Sequence, residues 1–192
     1  MRVSRLLPLV LVLVGLGACT TPLETFEISA PPLGRSVAGT TRAQLLIPEP
    51  TAIKTIDSER IVVKPTPYTV EYLGGSQWSD RLPRMVQLRL LQAYENTGQI
   101  GAVGVPGQGL AIDYQMLLEI RRFEIEVVTG RQAVVEISVK ALDDRSGVVR
   151  RTRIFRSVEP VVGEGNSAFV SALDRAFDRM AAEIVAWTIS IV

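Results

Sequence analysis

One thiol and no imidazole limit the chemistry open to this chain. Cys19 is the only cysteine among 192 residues, and there is no histidine. Ser-His-Asp and Cys-His catalysis are therefore out of reach, the usual zinc ligand sets are missing, and neither a metal nor a cofactor is expected. Asp143 and Asp144 could serve as an acid–base pair or as calcium ligands. They open the run Asp143-Asp144-Arg145-Ser146-Gly147, however, whose composition is that of a solvated turn. Gly101-Ala102-Val103-Gly104 with Gly107 and Gly109 is rich in glycine. No Lys-Ser/Thr follows and no helix signal begins there, so a phosphate cradle is not expected. Arg150, Arg151, Arg153 and Arg156 cluster on one segment, read either as a solvated face or as a docking surface for an acidic partner. Tyr72 and Trp78 flank Gly74-Gly75. An aromatic pair about a turn fits a binding surface, and it fits burial of Trp78 against the following helix equally well. Tyr72, Trp78, Arg81 and Leu82 are the candidate partner contacts, and no catalytic residue is assigned.

The lone thiol has its own explanation in what precedes it. Met1-Arg2-Val3-Ser4-Arg5 is a short positive region, followed by an apolar run from Leu6 to Leu16 and then Leu16-Gly17-Ala18-Cys19. The run has the length of a signal-peptide core and is too short for an ordinary membrane span. Leu-small-small-Cys resembles the bacterial lipobox, which implies export, cleavage before Cys19, a diacylglycerol thioether on the thiol and a further acyl chain, such as palmitate, on the new amine. Each buried methylene contributes about 0.8 kcal/mol, and two or more chains anchor stably. Thr20, where Asp tends to retain lipoproteins in the inner membrane, points to the periplasmic face of the outer membrane. The expected organisation is a signal peptide over 1–18, a lipidated tether with a short first strand over 19–41, and one folded domain over 42–192. The whole chain carries 21 basic and 20 acidic side chains, and losing Arg2 and Arg5 with the signal shifts that balance slightly acidic. Such a chain offers no electrostatic case for nucleic acid.

The elements that must position these residues follow from periodicity. Phe26 and Ile28 alternate with Glu27 as a short first strand. Gln44 to Ile47 reads as a strand stopped by Pro48 and Pro50, and Arg60 to Lys64 as another ended by Pro65. Tyr68 to Leu73 alternates with an aromatic face and predicts a strand before Gly74-Gly75. Ser79 is placed to cap a helix carrying Leu82, Val86, Leu90 and Ala93 on one stripe, with Gly98 as its stop. A short strand is expected over Ala102 to Val105. Ile112 to Ile120 alternates, slips phase at Arg121-Arg122, and resumes through Phe123, Ile125 and Val127, as a strand with a bulge does. Thr129-Gly130 is a hairpin signal; Val135 to Ala141 and Val148 to Arg156 complete an antiparallel meander. Asn166 or Ser167 is placed to cap a last helix, where Phe169, Leu173, Phe177, Met180, Ile184 and Trp187 recur at steps of three or four. The stretch Ile184 to Val192 is too short to cross a bilayer. The fold class is α/β: a sandwich of an antiparallel or mixed β-sheet with two long amphipathic helices packed on one face.

Several segments together resemble a known family. They are the lipobox at Cys19; Ile61-Val62-Val63 and Tyr72 before Gln77-Trp78-Ser79-Asp80-Arg81-Leu82-Pro83; the helix to Tyr94-Glu95; Asp113-Tyr114-Gln115-Met116 running to Arg121-Arg122-Phe123-Glu124; and Phe155 followed by the final helix ending in Ala186-Trp187. In this order they resemble the ABC-type transport auxiliary lipoprotein components, a family that includes paraquat-inducible protein C-like lipoproteins. The resemblance implies an α/β sandwich and no enzymatic activity. It also implies partnership with an ABC transporter whose substrate-binding component is an MCE-domain protein, in systems that move lipids or other hydrophobic compounds between membranes. Because MCE assemblies are rings, a homo-oligomer is a further expectation. The competing expectation is a structural or assembly lipoprotein, such as an activator of a peptidoglycan synthase.

Overall fold

The computed structural model describes residues 22–33, 39–128 and 130–192. Cys19, Thr20 and the signal segment lie outside the described residues, as does Thr129 of the first hairpin turn. In chain order the elements are β1 (Glu24–Phe26), β2 (Gln44–Leu46), β3 (Thr51–Ala52), β4 (Val62–Lys64), β5 (Glu71–Tyr72), β6 (Ser76–Trp78), α1 (Leu82–Thr97), β7 (Ala102–Gly104), β8 (Tyr114–Glu126), β9 (Gln132–Asp143), β10 (Val148–Pro160) and α2 (Asn166–Ile191). The fold is mixed α/β, with a multi-stranded sheet and two helices.

The meander β8–β9–β10 is the frame, antiparallel throughout. Ile120 stands opposite Ile137 and Arg122 opposite Glu136, so Arg121 is the extra residue of a bulge. Without it Phe123 and Ile125 would turn to the wrong face; with it they are buried like Met116, Leu118 and Ile120 before it. A second register shift, between Val149 and Arg151, makes Arg150 the extra residue near the start of β10. The turn before it is held by Asp143, whose carboxylate accepts the backbone N–H and the hydroxyl of Ser146, both at 2.9 Å. Gly147 closes the turn at φ +68°, a conformation that L side chains rarely adopt.

The remaining edge of β8 is shared by three short strands, all parallel to it. β2 pairs near its start, β3 at Glu119–Ile120 and β4 at Glu124–Glu126. Pro48 and Pro50 fall between β2 and β3 and interrupt the pairing there, since a prolyl nitrogen cannot donate to the ladder. The sheet is therefore mixed rather than purely antiparallel, with β7 beyond β2 and β5 beyond β4. The glycine-rich stretch is accounted for here: a Cβ at Gly101 would lie 2.3 Å from the carbonyl oxygen of Arg42. β1 and β6 form a separate parallel pair that sets Phe26 beside Trp78.

Both helices contribute to one apolar core. Leu82, Val86, Leu90, Ala93 and Tyr94 enter it from α1, and Leu173, Phe177, Met180 and Ile184 from α2. α2 lies against β8, β9 and β10, whereas α1 contacts α2 and β7. Edge-to-face rings close the core between Trp78 and Phe123 (centroids 5.9 Å apart) and between Phe155 and Trp187 (5.5 Å).

Three local expectations are corrected. Ser79 does not cap α1; the cap position is Arg81, without a side-chain bond to the helix. The Ser79 N–H instead bonds the carbonyl of Phe26, continuing the β1–β6 pairing, and its hydroxyl lies 3.5 Å from Met85 Sδ. Neither Asn166 nor Ser167 caps α2, which starts after Gly165; Asn166 donates to Glu24 Oε2 and to the Gly74 carbonyl, both at 3.1 Å. The strand expected over Tyr68 to Leu73 shrinks to Glu71–Tyr72. Thr66 Oγ1 accepts the N–H of Tyr68 and of Thr69, a side-chain turn that competes with pairing and leaves Tyr68 95% exposed. Gly98 ends α1 as expected, at φ 60° with its N–H on the Glu95 carbonyl.

Candidate functional site

The four candidate contact residues do not make one surface. Trp78 and Leu82 are each 1% exposed. β6 delivers Trp78 edge-on to Phe123 of β8, and the first turn of α1 presses Leu82 into the same core. This corrects their reading as contact residues, because a side chain without accessible area has nothing to offer a partner of the folded chain. Tyr72 is half-buried, with the Arg60 guanidinium 3.7 Å from its ring centroid. A cation over the ring face is attracted by its quadrupole, so this stack fastens β5 to the start of β4.

Arg81 does reach the surface. Its guanidinium bonds Glu49 at 3.0 Å and, through Nε, Asp57 at 2.8 Å. Its hydrogen bond to the Asp57 carboxylate holds the guanidinium above its ordinary range, with Glu49 adding to it. Both acids belong to the segment between β2 and β4, so Arg81 clasps that segment to the start of α1. Its charge is spent on this clasp, and the cationic contact expected there is largely neutralised.

Asp143 and Asp144 are occupied in the same structural way. Arg150 Nη2 lies 2.7 Å from Asp143 Oδ2, and this hydrogen bond, with those from Ser146, brings the Asp143 carboxyl down to about 2. Asp144 Oδ1 accepts from Gln115 Nε2 at 2.6 Å. Both carboxylates thus serve the β9–β10 turn and its junction with β8.

Two features escaped the sequence. The first is a cleft of about 540 Å³ where β4 meets β8, lined by Ile53, Ile56, Val62, Val70 and Val128 with Arg122 at its side. Arg122 bridges Glu124 (2.6 Å) and Glu126 (2.6 Å). Burial works against its charge, but the bonds to the two carboxylates outweigh that and hold it above the ordinary arginine range. The lining residues lie far apart in the chain, and only the parallel docking of β4 on β8 brings them together. The second is the position of the arginine cluster: Arg150, Arg151, Arg153 and Arg156 all sit on β10, whose only strand partner among the described residues is β9. Residue types alone do not say which strand of a meander is left at the edge.

Nothing in these arrangements pairs a nucleophile with a base; what they offer is surface for contact. Among the described residues no helix is long and apolar enough to cross a membrane.

The chain is 33% identical over 169 residues to the uncharacterized protein bll6063 of Bradyrhizobium diazoefficiens, which covers 86% of this chain and 44% of the relative. The chain thus spans less than half the length of that relative. Protein XCC0632 from Xanthomonas campestris has a crystal structure that superposes with a TM-score of 0.81 at 26% identity, covering 87% of this chain and 95% of that one. The hypothetical protein CT253 from Chlamydia trachomatis shares the fold alone, with a TM-score of 0.56 at 12% identity over 79% of this chain and 98% of that one. The profile of the ABC-type transport auxiliary lipoprotein component matches residues 26–185, from the first strand to the last turns of α2. The chain belongs to the family of ABC-type transport auxiliary lipoprotein components.

Proposed function

We propose that this protein is the lipid-anchored auxiliary component of an MCE-type ABC transport system for lipids or other hydrophobic compounds. It acts by docking rather than by catalysis. The observation that carries the proposal is the family match over residues 26–185, joined in sequence to a lipobox ending at Cys19. Residues 1–18 direct export, the acylated Cys19 holds the chain at the periplasmic face of the outer membrane, and the domain from residue 42 meets the periplasmic end of an MCE ring, itself as a homo-oligomer. α2 covers β8, β9 and β10 from one side, which leaves the loops, the opposite face and the sheet edge for contact.

The test is affinity purification of the acylated protein from crosslinked cells, read by mass spectrometry. Recovery of an MCE-domain protein with its permease and ATPase is the expected result. Recovery of peptidoglycan synthases without any MCE component would overturn the transport role in favour of a wall-assembly lipoprotein. Cys19→Ser is expected to move the protein from the membrane to the soluble fraction, and a variant that stays membrane-bound would refute the anchor.

A further inference from the structure

Among the described residues β10 ends the sheet with a long unpaired edge. From Arg151 to Pro160 it runs against β9 without interruption. The N–H of Val161 bonds the Arg131 carbonyl at 2.9 Å, one step beyond the Pro160–Gln132 pair. Facing residues of an antiparallel ladder alternate between bonded and non-bonded pairs. Carried back along the register, this alternation turns the backbone groups of Ser157, Phe155 and Arg153 toward β9. Those of Thr152, Ile154, Arg156 and Val158 then point outward, where no described strand receives them.

The side chains along this edge say what fits it. Arg151 and Arg153 lie on the side of Phe155, toward α2, whereas Ile154, Arg156 and Val158 lie on the other. Ile154 is 51% and Val158 38% exposed. The acids nearby hold the arginines loosely: Glu183 is 3.9 Å from Arg153 and Glu136 is 3.9 Å from Arg156. Arg150 alone is tightly paired, to Asp143, while Arg151 bonds only the Arg150 carbonyl at 3.0 Å. α2 adds Arg175 and Arg179 beside Glu159. The edge is thus cationic on balance.

Arginines on an edge strand deter pairing with another copy, because like charges would stand across from one another. The same charges favour a strand of opposite sign. An edge built only for deterrence would not expose Ile154 and Val158 between its arginines. We infer that β10 is a docking edge for an extended acidic segment of a partner protein, one that alternates acidic and apolar residues and adds to the sheet as a further strand. Its acids meet Arg151 and Arg153, its apolar residues meet Ile154 and Val158, and its backbone takes up the outward groups of β10. Residues 1–21, 34–38 and 129 contain no Asp or Glu, so the acidic strand is none of these.

The probe is a synthetic peptide of alternating Glu and Val, with the Lys-Val peptide as control, added to the full chain in detergent. Anisotropy reads binding and residue-resolved amide exchange reads the mode. The Glu-Val peptide is expected to bind, more weakly as salt rises, and to slow exchange at Ile154, Arg156 and Val158 at least tenfold while Phe155 and Ser157 change little. Arg151→Glu and Arg153→Glu are each expected to weaken binding about tenfold. Ile154→Pro, which removes one outward donor, is expected to abolish the protection. No binding, equal binding of the Lys-Val peptide, or binding without protection along β10 would each overturn the inference. Concentration-dependent protection of the same amides without peptide would assign the edge to a second copy and overturn it as well.

Discussion

Tyr94 of α1 and Thr188 of α2 share a buried hydrogen bond whose donor and acceptor follow from its neighbours. Their oxygens are 2.7 Å apart, and both residues are buried, Tyr94 at 2% and Thr188 at 0% exposure. The Thr188 hydroxyl also donates to the Ile184 carbonyl at 2.9 Å. It has a single hydrogen, so the Tyr94 phenol must be the donor of the shared bond. Burial holds that phenol well above the ordinary tyrosine range, only partly offset by Thr188. The two single substitutions are therefore unequal. Tyr94→Phe removes the donor and leaves Thr188 still bonded to Ile184, a loss of about 1 kcal/mol. Thr188→Val strands the buried phenol without an acceptor and should cost about 2 kcal/mol or somewhat more. The double variant has no stranded donor and should fall back to about 1 kcal/mol, so the singles are non-additive by about 2 kcal/mol. Guanidinium unfolding followed by circular dichroism reads these values, provided the slope of the transition stays constant. Equal costs for the two singles, or an additive double variant, would refute the donor assignment.

Three other substitutions test separate parts of the structure. Trp78→Ala should destabilise the fold by about 3–5 kcal/mol through the cavity left against Phe123; a loss below about 1 kcal/mol in the same unfolding assay would mean that Trp78 is not core. Asp178 is pushed up to about 6 by burial and by the neighbouring Asp174, against a bond from Ser29 that lowers it. Its folded value thus lies above the unfolded one, so its charge opposes folding above pH 6 and stability is regained as pH falls from about 6 toward 4. Asp178→Asn should be more stable than the parent at neutral pH, by about 1 kcal/mol once solvent screening of this partly exposed group is allowed for, and the advantage should vanish near pH 4. A constant offset across that range would show that charge is not the cause. Arg150→Ala removes the main bond that holds the Asp143 carboxyl at about 2; its titration, followed by carboxyl-carbon NMR, should move up toward the ordinary aspartate value, and an unmoved midpoint would leave Ser146 as the sole cause.

Much of this molecule is decided within short windows of sequence. The alternation from Tyr114 to Val158 specifies the meander, and the slip at Arg121-Arg122 marks the bulge, because one residue inserted into a period of two must exchange the faces. Gly98 and Gly147 mark a helix end and a turn, since both need a positive φ. Cys19 and the residues before it carry the expectation of an anchor by themselves. What the tertiary structure alone decides is who meets whom across the chain. Trp78 beside Gly74-Gly75 reads equally as surface or core until Phe123 is brought to its ring. Ser79 has the chemistry of a cap until β1 claims its N–H. The arginines of β10 form a cluster in any reading, but whether they line an interior strand or an edge depends on which strands pair with β8. That choice is made by β2, β3 and β4, contacts closed over loops long in sequence whose entropy only the assembled core repays.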